Sequence, residues 1–397
     1  MRIAIIANGF PEASVALAKH LAMAGIEVDY YKESGILATG KDQALEYDKV
    51  SRWFLFYKKV NYQDVPELAE YYNGLPVTFY LIRRSSLYHY VPFLYKLAFK
   101  KIIRMIKKEH YDVINLIGGL AMKEFHDALK DETIYHSVHE VGSHSKNVAS
   151  SLEIDSIIQD RTPVHFFSES TRNRFLKLKG ADKCKSVVIP FGKFETMLLY
   201  DKEPLDIKDL DISKPTFLFF GYLSPYKGLD VLVEAMKLLK DKADRFNLIV
   251  GGRGKDPSLD YFRKQKNCMV INKVLSNSEI NTLNKIATAV IMPYKSASQT
   301  GIAPVAFMYG NPVIAARVGA LPEVVCDGEN GLLVAPGNPK ELAEAMLLLV
   351  ENKELVNKLS EGAKKYGHGD CFDWDSIVKQ TVLFFTELVE EKKCRTI

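Results

Sequence analysis

Cysteine is scarce and unpaired in this chain. Its five cysteines, Cys184, Cys268, Cys326, Cys371 and Cys394, form no C-x-x-C pair and are odd in number. That pattern gives no support to a disulfide framework or a zinc site, and it fits a reducing compartment. Long hydrophobic runs are missing too: none approaches the roughly 20 residues that a membrane-spanning helix needs. The opening MRIAIIANGF has too short an apolar run for a secretory signal and no small-residue cleavage site. The expectation is a cytoplasmic protein that does not span a membrane. The G-x-G-x-x-G fingerprint is absent, since Gly9 is followed by Phe10-Pro11-Glu12-Ala13-Ser14, which counts against a nicotinamide-dependent dehydrogenase. No D-x-D sits in a loop after a strand; Asp209-Leu210-Asp211 lies in a linker and Asp373-Trp374-Asp375 opens the last helix. No metal and no other cofactor is therefore expected. A net charge of +4 is too mild to indicate nucleic acid.

What is present describes a folded protein. Hydrophobic residues make up 47% and charged residues 26% of 397 residues, enough for two domains with separate cores. Short apolar runs alternate with helical patterns, the mark of parallel sheets with crossover helices. In the first half, strands are expected at Ile3–Ala7, Ile26–Tyr31, Val113–Ile117, Thr133–Val138, Val164–Ser168 and Ser186–Ile189, with a helix over Ser14–Ala24. The stretch Tyr200–Lys214 is charged, contains Pro204 and lacks apolar periodicity, so it reads as a linker. A second series follows, with strands at Phe217–Phe220, Asn247–Val250, Met269–Ile271, Ala289–Met292, Val313–Ala315 and Gly331–Val334. Its helices are expected at Gly228–Lys240, Ser276–Ile286, Pro304–Tyr309 and Glu341–Glu351. The expectation is an α/β protein of two doubly wound domains, residues 1–200 and 201–373, with ligands at the carboxyl ends of the strands.

Two segments carry the chemistry of the second half. Phe219-Phe220-Gly221-Tyr222-Leu223-Ser224-Pro225-Tyr226-Lys227-Gly228 runs from strand through loop to helix. Gly221, lacking a Cβ, lets a ligand approach the backbone, and Lys227 brings a cation to the same place. A fixed cation there favours a leaving group that gains negative charge. Ala297-Ser298-Gln299-Thr300-Gly301-Ile302-Ala303-Pro304 leads from a strand into a helix with Pro304 in its first turn. Its backbone amides suit an anion, and Ser298, Gln299 and Thr300 add hydrogen-bonding groups for hydroxyls or phosphate oxygens.

In the first half, Ile134-Tyr135-His136-Ser137-Val138-His139-Glu140-Val141-Gly142-Ser143-His144 is the densest histidine cluster. His139 is expected at the carboxyl end of its strand, where a neutral imidazole hydrogen-bonds a hydroxyl or takes a proton near neutral pH. His139 and His144 are not spaced as a metal pair on one helix face, and no cysteine is close.

These segments, with Gly310-Asn311-Pro312-Val313-Ile314-Ala315, Val318-Gly319-Ala320-Leu321-Pro322-Glu323-Val324-Val325 and Asp327-Gly328-Glu329-Asn330-Gly331-Leu332-Leu333-Val334, resemble the retaining glycosyltransferases of family four. The likeness is dense over residues 215–350 and loose elsewhere. It implies the GT-B fold: two Rossmann-like domains facing a cleft, with the helix Trp374–Glu391 returning to the first domain, so that 374–397 belong with 1–200. It also implies a nucleotide-sugar donor of UDP or GDP type, a saccharide or lipid-linked acceptor, and a role in cell-surface polysaccharide or glycoconjugate synthesis. By resemblance, Lys227 is the diphosphate-binding lysine and His139 lies near the transferred sugar. The nucleotide base is expected against backbone near Ile271–Val274, giving Ile271 and Lys273 donor-binding roles beside Gly9, Gly221, Tyr222, Ser298, Gln299, Thr300, Gly301 and Ile302. Glu140 and His144 are expected at the acceptor. Two departures stand out: Tyr222 replaces the usual arginine, and Ala297 and Val305 replace a usual pair of glutamates. They leave open a sugar-nucleotide-binding protein of the same fold without turnover.

From Tyr71 to Lys108 there is no acidic residue. Lys96, Lys100, Lys101, Arg104, Lys107 and Lys108 fall on one helical arc, while Phe93, Leu94, Tyr95, Phe99, Ile102, Ile103, Met105 and Ile106 lie mostly opposite. Two readings fit. Either an ordinary domain helix buries its apolar face, or a helix rests on an anionic membrane surface, placing the protein at the inner face of the membrane.

Overall fold

The computed structural model describes residues 1–7, 11–33, 41–42, 45–46, 56–82, 92–118, 122–142, 148–200, 205–207, 210–297, 300–368 and 373–396. The chain divides into two compact units. The first holds Met1–Phe167, Arg172–Leu199 and Trp374–Ile397; the second holds Ser168–Thr171 and Tyr200–Asp373.

In the first unit, β1 (Arg2–Ala7) and β2 (Glu27–Glu33) precede a small antiparallel pair, β3 (Lys41–Asp42) and β4 (Leu45–Glu46). Then come β5 (Tyr57–Val60), β6 (Val77–Ile82), β7 (Val113–Ile117), β8 (Ile134–Val138), β9 (Val164–Phe166) and β10 (Ser186–Val188). The main sheet runs β10-β9-β8-β7-β1-β2-β6-β5, parallel except where β5 pairs antiparallel with β6 at the edge. Alternation along β1 explains why both faces are apolar. Ile3, Ile5 and Ala7 pack with Val15 and Leu21 of the helix Pro11–Met23 and with Phe384 and Phe385 of the helix Trp374–Thr396. Ala4 and Ile6 pack on the other face with Ile102 and Ile106 of the helix Pro92–Lys108 and Phe125 of the helix Met122–Leu129. The C-terminal helix thus completes the core of the first unit. Its Trp374 stacks on His20 with ring centroids 4.7 Å apart, and it lies over Gly192, where a Cβ would overlap the indole.

The second unit contains β11 (Thr216–Phe220), β12 (Asn247–Gly251), β13 (Cys268–Ile271), β14 (Ala289–Met292), β15 (Val313–Ala316) and β16 (Gly331–Val334). All are parallel, in the order β13-β12-β11-β14-β15-β16. Counted within the unit this is 3-2-1-4-5-6, the doubly wound dinucleotide-binding order, and its direction reverses between β11 and β14. The helix Asn277–Ile286 starts with a capping box, Ser276 accepting from the Glu279 amide while Glu279 reaches back to the Ser276 amide.

A chain of titratable groups is buried in the first unit, beside β8, the strand that His139 follows. His126 Nε2 donates to Asp160 Oδ2 at 2.9 Å, and His126 Nδ1 meets His136 Nε2 at 2.9 Å. His136 Nδ1 lies 3.0 Å from Glu153 Oε1. With both rings neutral, each imidazole has one donor and one acceptor nitrogen. The donors therefore run one way, Glu153 to His136 to His126 to Asp160, and Glu153 must hold a proton. Burial drives this: it raises the Glu153 carboxyl to about 8 and lowers His136 to about 3. Since Glu153 is raised above its ordinary 4.5, its contribution is full below that pH and is lost as pH rises through about 8. The full chain should lose about 1 kcal/mol through this site between pH 7 and pH 9. Glu153→Gln, whose amide donates the same hydrogen bond without titrating, should abolish that loss. Thermal melts across this range decide it; equally steep decline in the variant contradicts the assignment.

Candidate functional site

The crossover of the second sheet is built by two loops in backbone contact. One leaves β11 through Gly221 to Lys227; the other leaves β14 through Pro293 and Tyr294 to Thr300. Gly228, at φ +73°, sits so tightly that a Cβ would overlap the Pro293 carbonyl. The Lys295 amide donates to the Tyr226 carbonyl at 2.8 Å, closing the pair. On the β12 side, the Gly221 amide donates to the Gly251 carbonyl at 3.0 Å, and a Cβ on Gly252 would overlap the Gly221 carbonyl.

Lys227 lies inside this frame, 8% exposed. Its Nζ donates to Tyr294 Oη at 2.7 Å and sits 4.1 Å from the centre of the Tyr294 ring. A Cβ built on Gly221 would lie 3.8 Å from that Nζ and 3.3 Å from Ile302 Cδ1. Gly221, Lys227 and Ile302 therefore converge on one spot. Burial lowers the lysine's pKa, and Tyr226 opposes the shift. Among the described residues, Lys227 makes no ion pair with any carboxylate. A buried ammonium held by phenols and ring faces is costly, and an arriving anion relieves that cost.

The other donor-side residues divide. Thr300 is 8% exposed, and its Oγ1 accepts from the Ile302 amide at 3.1 Å. One of the helix-start amides that the sequence left open to an anion is thus already used. Gly301 precedes the helix Ile302–Met308, which carries Pro304 in its first turn as the sequence implies. Tyr222 is 62% exposed. Ile271 ends β13, while the Lys273 ammonium pairs with Glu279 at 2.6 Å, so Lys273 offers its backbone rather than its charge. Ala297 and Val305 are buried packing positions, with the Ala297 carbonyl pressed against Gly319. Gly9, Ser298, Gln299 and His144 lie outside the described residues.

In the first unit, His139 follows β8 directly and is half buried. Its ring stacks on Phe167 at 4.3 Å and tilts against Phe191 at 5.3 Å. Beneath it, His165 is held neutral by burial, which lowers it to about 4. Its Nε2 then donates to the Ile189 carbonyl at 2.8 Å, and its Nδ1 lies 3.0 Å from Ser137 Oγ, which donates to Asn115 Oδ1. A cavity of about 30 Å³ lies among Ser14, Ser137, His139, His165, Phe191 and Trp374, room for about one water. Glu140 follows His139 and is half buried.

Residues 203–366 match the family model described as Glycosyl transferases group 1. Over those residues the chain is similar to group 1 glycosyltransferases. The chain is also similar to parts of curated relatives. An uncharacterized glycosyltransferase of Methanocaldococcus jannaschii is 32% identical over 179 residues, covering 43% of this chain and 48% of that protein. The D-inositol 3-phosphate glycosyltransferase of Corynebacterium glutamicum is 31% identical over 181 residues, covering 43% of each. The matches thus span less than half of those relatives' lengths. Solved structures extend the likeness of fold to nearly the whole chain. Sucrose-phosphate synthase of Thermosynechococcus elongatus superposes with TM-score 0.68 at 17% identity, covering 98% of this chain and 100% of its own. HepE of Anabaena, in complex with UDP-glucose, does so with TM-score 0.65 at 17% identity, covering 98% and 100%. The fold is GT-B, two Rossmann-like α/β domains.

Within the second unit, the sequence signals that meet in space are those around Gly221, Lys227, Thr300 and Ile302. Tyr294 is the residue that sequence reasoning passes over: it belongs to no motif, yet it holds the lysine. Its only trace is an aromatic with a polar tip directly after an apolar strand, at Met292-Pro293-Tyr294. In the other unit, the helix Pro92–Lys108 buries Ala98, Ile102 and Ile106 against the sheet and leaves Lys96, Lys100, Lys101, Arg104 and Lys108 exposed. Phe93 departs from the expected apolar face and is 74% exposed. No helix among the described residues is long and apolar enough to cross a membrane.

Proposed function

We propose that this protein is a retaining glycosyltransferase that takes a sugar from a UDP- or GDP-type donor and needs no divalent metal. The observation that carries the reading is Lys227, a buried ammonium at the crossover of a dinucleotide-type sheet, without a carboxylate partner among the described residues. Bond cleavage between sugar and diphosphate builds negative charge on the leaving phosphate, and a fixed cation stabilises that charge where it develops. HepE, with the same fold, is described in complex with UDP and glucose, which supports a nucleotide-sugar donor. His139 is assigned to the sugar and acceptor, as a hydrogen-bonding imidazole kept upright by Phe167 and Phe191. The acceptor is a saccharide or a lipid-linked sugar in cell-surface polysaccharide or glycoconjugate synthesis. The exposed lysines of Pro92–Lys108, with Phe93 beside them, are assigned to an anionic membrane surface at the cytoplasmic face.

A second reading, nucleotide-sugar binding without turnover, is favoured by Ala297 and Val305, two buried apolar residues that accept no side-chain hydrogen bond from a donor. One experiment separates the two. The protein is incubated with a panel of UDP- and GDP-sugars, with and without vesicles of anionic lipid, and nucleotide release is measured. Release from at least one donor is expected, along with sedimentation on the vesicles at low salt. Tight donor binding with no release supports the second reading, and failure to sediment removes the membrane assignment.

A further inference from the structure

His165 sits on β9, the strand beside β8, and is buried. The Ile189 carbonyl can only accept, so the 2.8 Å bond between them fixes the imidazole proton on Nε2. Ile189 is the first residue past β10, and its amide donates to the Phe166 carbonyl at 3.0 Å. Both backbone polar groups of Ile189 are therefore held from β9, one by its backbone and one by a side chain. Two residues further along each segment stands a phenylalanine, Phe167 after His165 and Phe191 after Ile189. Their rings stack at 4.1 Å, and the His165 ring meets Phe167 edge-on at 4.4 Å. His139 lies against both, 4.3 Å from Phe167 and 5.3 Å from Phe191. The far end of the second segment is pinned separately, by Trp374 Nε1 donating to the Lys193 carbonyl at 3.3 Å.

We propose that His165 is a positioning residue for His139: through its bond to Ile189 it sets the Phe167–Phe191 pair against which the His139 ring is placed. This rests on the reading of His139 as the imidazole that serves sugar and acceptor. Stacked rings tolerate a range of offsets, so the phenylalanine pair alone does not define where His139 lies. His165 removes that freedom by joining the two backbones that carry the rings, close to the rings themselves. Burial suits it to the task. It lowers His165 to about 4, so the ring stays neutral and keeps the same donor where an exposed imidazole changes charge. An imidazole even a fraction of an ångström out of place is a poor partner for a reacting hydroxyl.

The test uses the full-length protein carrying isotope-labelled histidine, with two readouts. His165→Leu removes the donor, whereas His165→Gln returns an N–H at about the reach of Nε2. The first readout is the magnetic resonance signal of the His139 ring, identified by its absence from His139→Gln. The ring current of Phe167 should displace that signal in wild type. It should move toward the position of an exposed histidine in His165→Leu and return in His165→Gln. The second readout is the initial rate of nucleotide release from the UDP- or GDP-sugar that wild type uses. His165→Leu should lower kcat about tenfold with the donor KM unchanged, since the donor is assigned to the second unit, and His165→Gln should restore kcat. An unmoved signal and kcat in His165→Leu overturn the proposal, as does a fall in kcat with the signal in place. Wild-type kcat in His139→Gln instead removes the role of His139 on which the proposal rests. Where no donor is turned over, the spectrum alone decides. Should His165→Leu fold poorly, His165→Asn takes its place, because its amide reaches toward Ser137, which lies 3.0 Å from Nδ1, but is too short for Ile189. An Asn variant equal to the Gln variant in both readouts overturns the proposal.

Discussion

Lys227→Met lowers sugar transfer by about 100-fold or more and leaves a protein that melts no lower than wild type. The two halves of this result belong together. Removing a cation from the position of developing charge costs the transition state far more than the ground state, so turnover falls most. In the free protein the same cation is a burden, since Lys227 is buried, its proton affinity is lowered by that burial, and it lacks a carboxylate partner among the described residues. Methionine fills a similar volume without charge, which removes the desolvation cost. Initial rates with the best donor, together with a thermal melt, check both halves. Unchanged turnover takes Lys227 out of the site; a large drop in melting temperature makes the lysine a structural element.

Gly252→Ala should be the most damaging single-methyl change near the site. Gly252 has φ +141°, a region that other residues scarcely enter. The added Cβ would also overlap the Gly221 carbonyl, a backbone atom that cannot turn aside. Strain and overpacking together amount to about 3–5 kcal/mol, which lowers the melting temperature by roughly 10 °C. Because the displaced atom belongs to Gly221, any variant that folds should also bind donor poorly. Gly337→Ala is the control: φ is +68°, but nothing lies within 4 Å of the new Cβ, so only about 1 kcal/mol is expected. Similar melts for the two variants would mean that the contact between Gly252 and Gly221 does not hold the loops together.

How much of this was legible in sequence follows from burial and distance along the chain. Buried strands read as nearly continuous apolar runs, so Val113–Ile117 and Ala289–Met292 coincide with expectation, as does the half-buried edge strand Gly331–Val334. The same reasoning has no hold on Tyr57–Val60, an edge strand that turns Tyr57 and Lys59 toward solvent and buries only Val60. Val77–Ile82 is apolar enough to be read, but the acid-free stretch around it directs attention to charge instead of periodicity. Lys227 is legible because a strand, a glycine loop and a helix start place it within a few residues of its sheet. Tyr294 and the Glu153–His136–His126–Asp160 chain are not, because each depends on partners many residues away that only the sheet order brings together. The Lys273 side chain shows the converse: its position beside β13 suits a donor, but Glu279 one turn into the next helix already engages it.

The central claim is that the crossover between β11 and β14 receives the diphosphate of a nucleotide sugar. A donor-soaked crystal of the full chain measures this directly. The claim predicts phosphate oxygens within hydrogen-bonding distance of Lys227 Nζ and Thr300 Oγ1, above Gly221. A donor bound with its diphosphate elsewhere, leaving Lys227 on Tyr294 alone, would contradict it.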